Sequence, residues 1–209
     1  MNRTLKILYT AAAAAILLAP SASAQIGLPP TAIPAPGDSV RPVATVAQAP
    51  LVLRASISER ILYVERGGTT IKTFLIAVGK DEYPTPRGRY TIRKMIWNPS
   101  WRPPPGSAWA KGKKATGPGD PKNPMKVVKI FFKEPDYYIH GTDAVASLGS
   151  AASHGCLRMD PDDVAELAKL LMEHGGQPRE ENWFLRLIHS RRQEKPIYLD
   201  NPVTITVTE

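Results

Sequence analysis

The stretch LVLRASISERILYVERGGTTIKTFLIAVGK, residues 51–80, decides the fold class. Alternation runs through Ile61 and Tyr63 and resumes at Ile71, Thr73, Leu75 and Ala77, with Gly67 and Gly68 between the two runs. A period of two belongs to a half-buried strand, and a glycine pair between two such runs permits the positive φ of a tight hairpin. Strand signals return at Tyr90-Thr91-Ile92, at residues 127–132, at Tyr137-Tyr138-Ile139, at Ile197-Tyr198-Leu199 and at residues 203–207. The expected fold is therefore mainly β.

Two helices complete this α+β chain. Asp160 is a plausible N-cap, Pro161 suits the first helical position, and Asp163 complements the positive end. Val164, Leu167, Ala168 and Leu171 then repeat at helical spacing until Gly175 and Gly176. A weaker helical stretch over residues 180–192 places Trp183, Phe184, Leu187 and Ile188 inward. Residues 97–125 show neither period and are crowded with Pro, Gly and Trp. So long a segment inside a domain is commonly a functional loop. Trp97, Trp101 and Trp109 favour a packed lid, whether each staples the loop to the sheet or meets a ligand.

The ends set the compartment. Residues 1–24 carry Arg3 and Lys6, an apolar run over 7–19 and the small residues Ala22-Ser23-Ala24, the pattern of a secretory signal peptide. That run is shorter than the roughly 20 residues a membrane span needs. No transmembrane segment is expected after cleavage. Residues 25–50 are rich in Pro, Ala, Val and Thr and read as a flexible linker; residues 51–209 have the length of one domain. Formal charge is 27 − 19 = +8, and removal of Arg3 and Lys6 leaves +6. In an exported protein that excess does not call for nucleic acid. It fits either an anionic envelope polymer or a diffusely basic surface, since the Lys and Arg residues are scattered.

The one cysteine of the 209 residues lies in Ser153-His154-Gly155-Cys156-Leu157-Arg158. It cannot form an internal disulfide. A free thiol is mostly protonated at neutral pH unless a base or a positive dipole assists it. His140 leaves an apolar strand as a candidate base, and the helix expected a few residues beyond Cys156 offers a dipole favouring thiolate. Gly155 permits a turn that exposes amide N–H groups as an oxyanion site, and Arg158 suits a substrate carboxylate. A zinc site of His140, His154 and Cys156 is the alternative, but no acidic residue stands at a motif spacing, and no metal or cofactor is expected. His174 and His189 fit structural or solvated roles.

His140-Gly141-Thr142, a gap, and then Ser153 to Arg158 resemble the signature of the L,D-transpeptidase catalytic domain (YkuD type). Twelve residues separate His140 from Ser153, as in the envelope enzymes of Gram-negative bacteria. The likeness extends over residues 51–207 through ISERILYVERGGTTIKTFLIAVGK, YPTPRGRYTI, WNPSWRPP, GPGDPKNPM and KPIYLDNPVTITV. Met125-Lys126 departs from a common Leu-Gly pair. The resemblance implies a single β-sandwich-like catalytic domain with a long lid loop and a periplasmic location. It implies peptidoglycan stem peptides as substrates, Cys156 as nucleophile and His140 as base, oriented by the Gly141 carbonyl. The N–H groups of Gly155 and Cys156 would hold the oxyanion, His154, Ser153 and Thr142 would line the pocket, and Arg158 would bind a carboxylate or support the loop. The acyl acceptor would be a second stem peptide, an outer-membrane lipoprotein C-terminus or water. A non-catalytic wall-binding scaffold predicts loss of Cys156 or His140, and a thiol oxidoreductase predicts a Cys-x-x-Cys pair.

Overall fold

The computed structural model describes residues 49–190 and 192–209; the expected signal peptide and nearly all of the linker lie outside them. Ten strands form in chain order: β1 (Leu51–Ser56), β2 (Ile61–Arg66), β3 (Thr69–Leu75), β4 (Val78–Gly79), β5 (Gly88–Trp97), β6 (Lys126–Lys133), β7 (Tyr137–Gly141), β8 (Ala151–Ser153), β9 (Leu157–Met159) and β10 (Lys195–Thr208). Helices α1 (Pro161–His174) and α2 (Glu181–His189) lie between β9 and β10. The fold is mainly β with two helices, as expected. Eight strands make one sheet in the order β3-β2-β1-β10-β5-β6-β7-β9, and β4 pairs with β8 in a small ribbon.

That sheet rolls toward closure. Just past β3, Ala77 exchanges both backbone hydrogen bonds with Arg158 of β9, each 2.9 Å. The first and last strands of the order are thereby joined, protecting an edge that would otherwise offer unpaired amides.

The β2–β3 hairpin forms, but its buried phase is the opposite of the alternation read from the sequence. Leu62, Val64, Phe74 and Ile76 enter the core, whereas Ile71 and Leu75 are exposed. Both faces carry apolar side chains here, and Tyr63 finds a different use outside, under the Arg54 guanidinium at 3.8 Å from the ring centroid.

Helix α1 forms for the reasons its sequence offers. The Asp160 side chain accepts from the Asp162 N–H at 2.9 Å, and Pro161 occupies the first turn, where its missing N–H costs nothing. Val164, Leu167, Ala168, Leu171 and Met172 are buried against the sheet, each large side chain contributing about 1.5–3 kcal/mol. The helix ends where the Gly175 N–H donates to Leu171 O at 2.8 Å and Gly176 takes φ +80°. In α2, Phe184 and Leu187 are buried and Trp183 is partly buried. Trp97, at the end of β5, belongs to this core; its Nε1–H donates to Met172 Sδ at 3.2 Å.

His174 is structural. Its Nε2 accepts the backbone N–H of Leu51 at 2.8 Å and so ties the start of β1 to the end of α1. An imidazole that accepts at Nε2 must be neutral, and burial, aided by the Arg66 charge, holds its pKa below the ordinary 6.5. A depressed folded pKa supplies stability in full above the unfolded value and loses it as pH falls. The denaturation midpoint should therefore drop as pH is lowered through about 6.5. His174→Gln, whose amide oxygen can accept the same N–H, should flatten that dependence; an unchanged slope would refute the assignment.

Candidate active site

Sheet register assembles the site. Strands β6, β7 and β9 lie side by side, with Lys129 opposite His140 and Phe131 opposite Tyr138 across β6–β7, and His140 opposite Arg158 across β7–β9. Opposed residues share a face, and alternate residues along a strand return to it. Lys129, His140 and Arg158 thus form one row. Phe131, Tyr138 and Cys156, the last immediately before β9, form the row beside it.

The opposite face holds Ile130, Ile139, Leu157 and Met159 in the main core against α1. This division follows from the alternation of Tyr138-Ile139-His140. It gives the catalytic candidates a face of their own.

The 97–125 segment covers that face. Trp101 and Met125 pack with Phe131 and Tyr138 in a second apolar cluster touched by Trp109 and Cys156. Trp101 and Thr116 exchange two backbone hydrogen bonds of 2.9 Å, closing the loop upon itself. The buried Asn123 side chain donates to Pro99 O and Gly117 O and accepts from the Met125 N–H. Trp109 stacks on His154 with centroids 4.0 Å apart and planes 15° apart, while Tyr83 lies 5.0 Å away from the same imidazole. Trp101 and Trp109 therefore build the lid over the site; Trp97 serves the main core.

Between lid and sheet is a cavity of about 630 Å³, lined among others by Trp109, Tyr137, His140, His154, Cys156 and Arg158. Cys156 is half-buried, and its thiol donates to Asp136 O at 3.4 Å. Burial pushes this thiol up to about 11, against the pull of the Tyr138 N–H and the charges of Arg158 and Lys129. The first turn of α1 is separated from the sulfur by residues 157–160, and among the groups acting on the thiol enclosure by its surroundings is the largest effect.

His140 is 3% exposed, and its Nδ1 lies 2.8 Å from Gly141 O. A carbonyl can only accept, so Nδ1 carries the proton and the Nε2 lone pair is left for chemistry. Burial holds this imidazole down to about 4, reinforced by the charges of Arg158 and Lys129. The resting pair is a neutral thiol and a neutral imidazole.

The remaining candidates divide by use. Ser153 Oγ donates to Cys156 O at 2.6 Å and accepts from the Gly155 N–H at 3.0 Å, so it staples the turn that presents the cysteine. The Gly155 N–H expected to bind an oxyanion is thereby already engaged, whereas outside the strand ladders the Cys156 N–H donates to no backbone acceptor among the described residues. The Tyr138 N–H, not anticipated from the sequence, faces the sulfur. Gly155 takes φ +105°, and a Cβ there would stand 2.8 Å from Tyr137 Cε1. Gly141 is equally confined, its would-be Cβ 2.7 Å from Lys126 O.

Thr142 Oγ1 accepts from the Ala144 N–H at 3.2 Å and acts as a turn cap at the cavity wall. Arg158 pairs with Ala77 through its backbone only; among the described residues its guanidinium makes no hydrogen bond or ion pair, so it is available to a ligand in the cavity. His189 bonds back to Leu185 O within α2. Among the described residues no group of three or more His, Cys, Asp or Glu side chains is placed to hold a metal ion, and no helix is long and apolar enough to cross a membrane.

Comparison with known proteins identifies the family. The family model for the YkuD L,D-transpeptidase catalytic domain matches residues 50–199. A Bacillus subtilis protein whose name assigns it to the L,D-transpeptidases (YkuD) is 32% identical over 122 residues, covering 58% of this chain and 61% of its own. An Escherichia coli protein similarly named (ErfK/SrfK) is 31% identical over 114 residues, covering 52% of this chain and 36% of its own. The chain thus spans about two-fifths to three-fifths of these relatives' lengths. Among solved structures, an L,D-transpeptidase from Mycobacterium smegmatis aligns over 77% of this chain and 59% of its own, with 19% identity and a TM-score of 0.49. Because the family model spans residues 50–199, nearly the whole of the described chain, one conclusion follows: the chain belongs to the YkuD family of L,D-transpeptidase catalytic domains.

Proposed function

We propose that this protein is a peptidoglycan L,D-transpeptidase of the periplasm that works through a Cys156 thioester. The observation that carries the proposal is the Nδ1–H bond of His140 to Gly141 O, which leaves Nε2 as an acceptor on the face that bears Cys156. The thiol turns from Asp136 O to His140 Nε2, which takes its proton as sulfur attacks the carbonyl of the third stem residue. The carbonyl π electrons move to oxygen, and the Cys156 and Tyr138 N–H groups hold the resulting anion. Collapse breaks the C–N bond; the leaving amine of the fourth, D-residue takes the proton from Nε2. An acceptor amine then attacks the thioester, gives a proton to Nε2, and the sulfur leaves and is reprotonated.

Arg158 is well placed for a stem-peptide carboxylate, since its half-buried guanidinium has no partner of its own among the described residues. The acceptor is the amine of a second stem peptide or of a lipoprotein C-terminal lysine.

The test is mass spectrometry of the products when the purified protein meets a disaccharide-tetrapeptide, with and without a lipoprotein C-terminal peptide. A cross-linked dimer or a peptide adduct with release of D-alanine is expected and names the acceptor. Tripeptide alone would make the protein a hydrolase. Unchanged substrate would overturn the proposal.

A further inference from the structure

Lys129 has no part in the chemistry above, yet it occupies the row of the catalytic base. It stands opposite His140 across β6–β7, on the side away from Arg158. Its ammonium lies 5.1 Å from the Phe131 ring centroid and 4.9 Å from that of Tyr138. Neighbouring lysines are neutralised: Lys94 by Glu134 at 2.7 Å and Lys126 by Asp143 at 2.7 Å. Lys129, half-buried, has no hydrogen bond or ion pair among the described residues.

A half-buried ammonium with only ring faces for company costs stability unless something else uses its charge. Its surroundings show what. The opposite charges that act on it are Glu194, from the segment before β10, and the Cys156 sulfur once ionised; Lys94 on β5 opposes it. Glu194 is already engaged by the Ser100 N–H and hydroxyl. The groups acting on His140 are Lys129 from β6, Arg158 from β9 and the carbonyl of Gly141 on its own strand.

We propose that Lys129 is a positioning residue for the transfer reaction, a cation fixed across the strand pair from His140 that opposes charge on the imidazole and favours charge at Cys156. This rests on the roles given to those two residues above. Burial, reinforced by the two cations, keeps the imidazole a neutral acceptor far into acid. Once protonated it is a strong acid, and it surrenders its proton readily to the departing amine. Lys129 touches neither substrate nor reacting atom; it acts through its field.

The test compares the full-length protein with Lys129→Met, which keeps the side-chain volume, and Lys129→Arg, which keeps the charge. Two readouts need no turnover: the His140 titration followed by NMR and the pH dependence of Cys156 alkylation by iodoacetamide. In Lys129→Met the His140 midpoint should move to higher pH, the base becoming easier to protonate, and alkylation of Cys156 at neutral pH, where the wild-type Lys129 is charged, should slow because the thiol is harder to ionise. That rate should fall about tenfold for each unit by which loss of the neighbouring charge raises the thiol's pKa. The acidic limb of D-alanine release should move up with His140, and Lys129→Arg should restore all three.

An unchanged His140 midpoint or an unchanged neutral-pH alkylation rate in Lys129→Met would overturn the inference, as would failure of Lys129→Arg to restore them. Circular dichroism checks the fold, and Lys129→Gln replaces the methionine variant if that one does not fold. A wild type that forms no product would refute the proposed function while leaving the two titrations to judge Lys129.

Discussion

Replacing Cys156 with alanine is expected to abolish both the thioester adduct and D-alanine release while leaving the fold intact. In the proposed mechanism the Cys156 sulfur is the atom that holds the acyl group. In a related hydrolytic chemistry, loss of the nucleophile costs on the order of 10⁶-fold. The fold should tolerate the change because Cys156 is half-buried at the edge of the small lid cluster, not in the main core. Its loss should cost about 1 kcal/mol. Cys156→Ser sharpens the test, since it keeps the shape but offers a hydroxyl that only a strong base could activate. An imidazole held down to about 4 is not that base, so the serine variant should be as inactive as the alanine. The measurements are intact-mass detection of the adduct and a denaturation midpoint. Turnover by Cys156→Ala would remove the cysteine from the mechanism altogether.

Much of this site was legible from residue order because chain connectivity does the assembling. His140 closes an apolar strand, and alternation alone puts it beside Tyr138 on the face opposite Ile139. Helix α1 was equally plain, since Asp160, Pro161 and the Val164-Leu167-Ala168-Leu171 spacing all specify the same start and the same buried face. The hairpin was legible as a hairpin but not in its phase. With Ile61, Leu62, Tyr63 and Val64 in succession, a period of two selects no face, and closure of the sheet through Ala77 and Arg158 decides which set is buried. The three-residue strands β8 and β9 carry no propensity signal of their own. They exist because β4 and β7 offer them edges to pair with.

The charges at the site were harder to read. A cysteine a few residues before a helix suggests an activated thiolate, but distance along the chain does not say what encloses the sulfur. The lid cluster of Trp101, Met125, Phe131 and Tyr138 packs against it, and burial is the largest influence on the thiol. Lys129 was invisible for a similar reason. In the sequence it is a polar residue of an alternating strand, and only the β6–β7 register turns it into a neighbour of His140. Ser153 and Thr142 read from the sequence either as pocket hydroxyls or as turn and cap residues; both line the cavity, and their oxygens engage the Cys156 and Ala144 turns.

His140→Ala should lower the rate of acyl transfer roughly 10²- to 10⁴-fold, the usual worth of a positioned base, and should also change the shape of the pH profile. With burial pushing the thiol up to about 11 and holding the imidazole down to about 4, proton transfer within the neutral pair should carry the proposed reaction across the range between them. Activity should fall on the acid side as His140 gains its proton near the lower value. Without the imidazole only the spontaneous thiolate can attack, and below the thiol's pKa its fraction rises tenfold per pH unit. The variant should therefore lose the acidic limb and show a residual rate that climbs steadily with pH toward about 11. A merely structural histidine would lower the rate at every pH alike. A pH–rate profile of D-alanine release for the two proteins separates these cases, and parallel profiles would place the base elsewhere in the cavity.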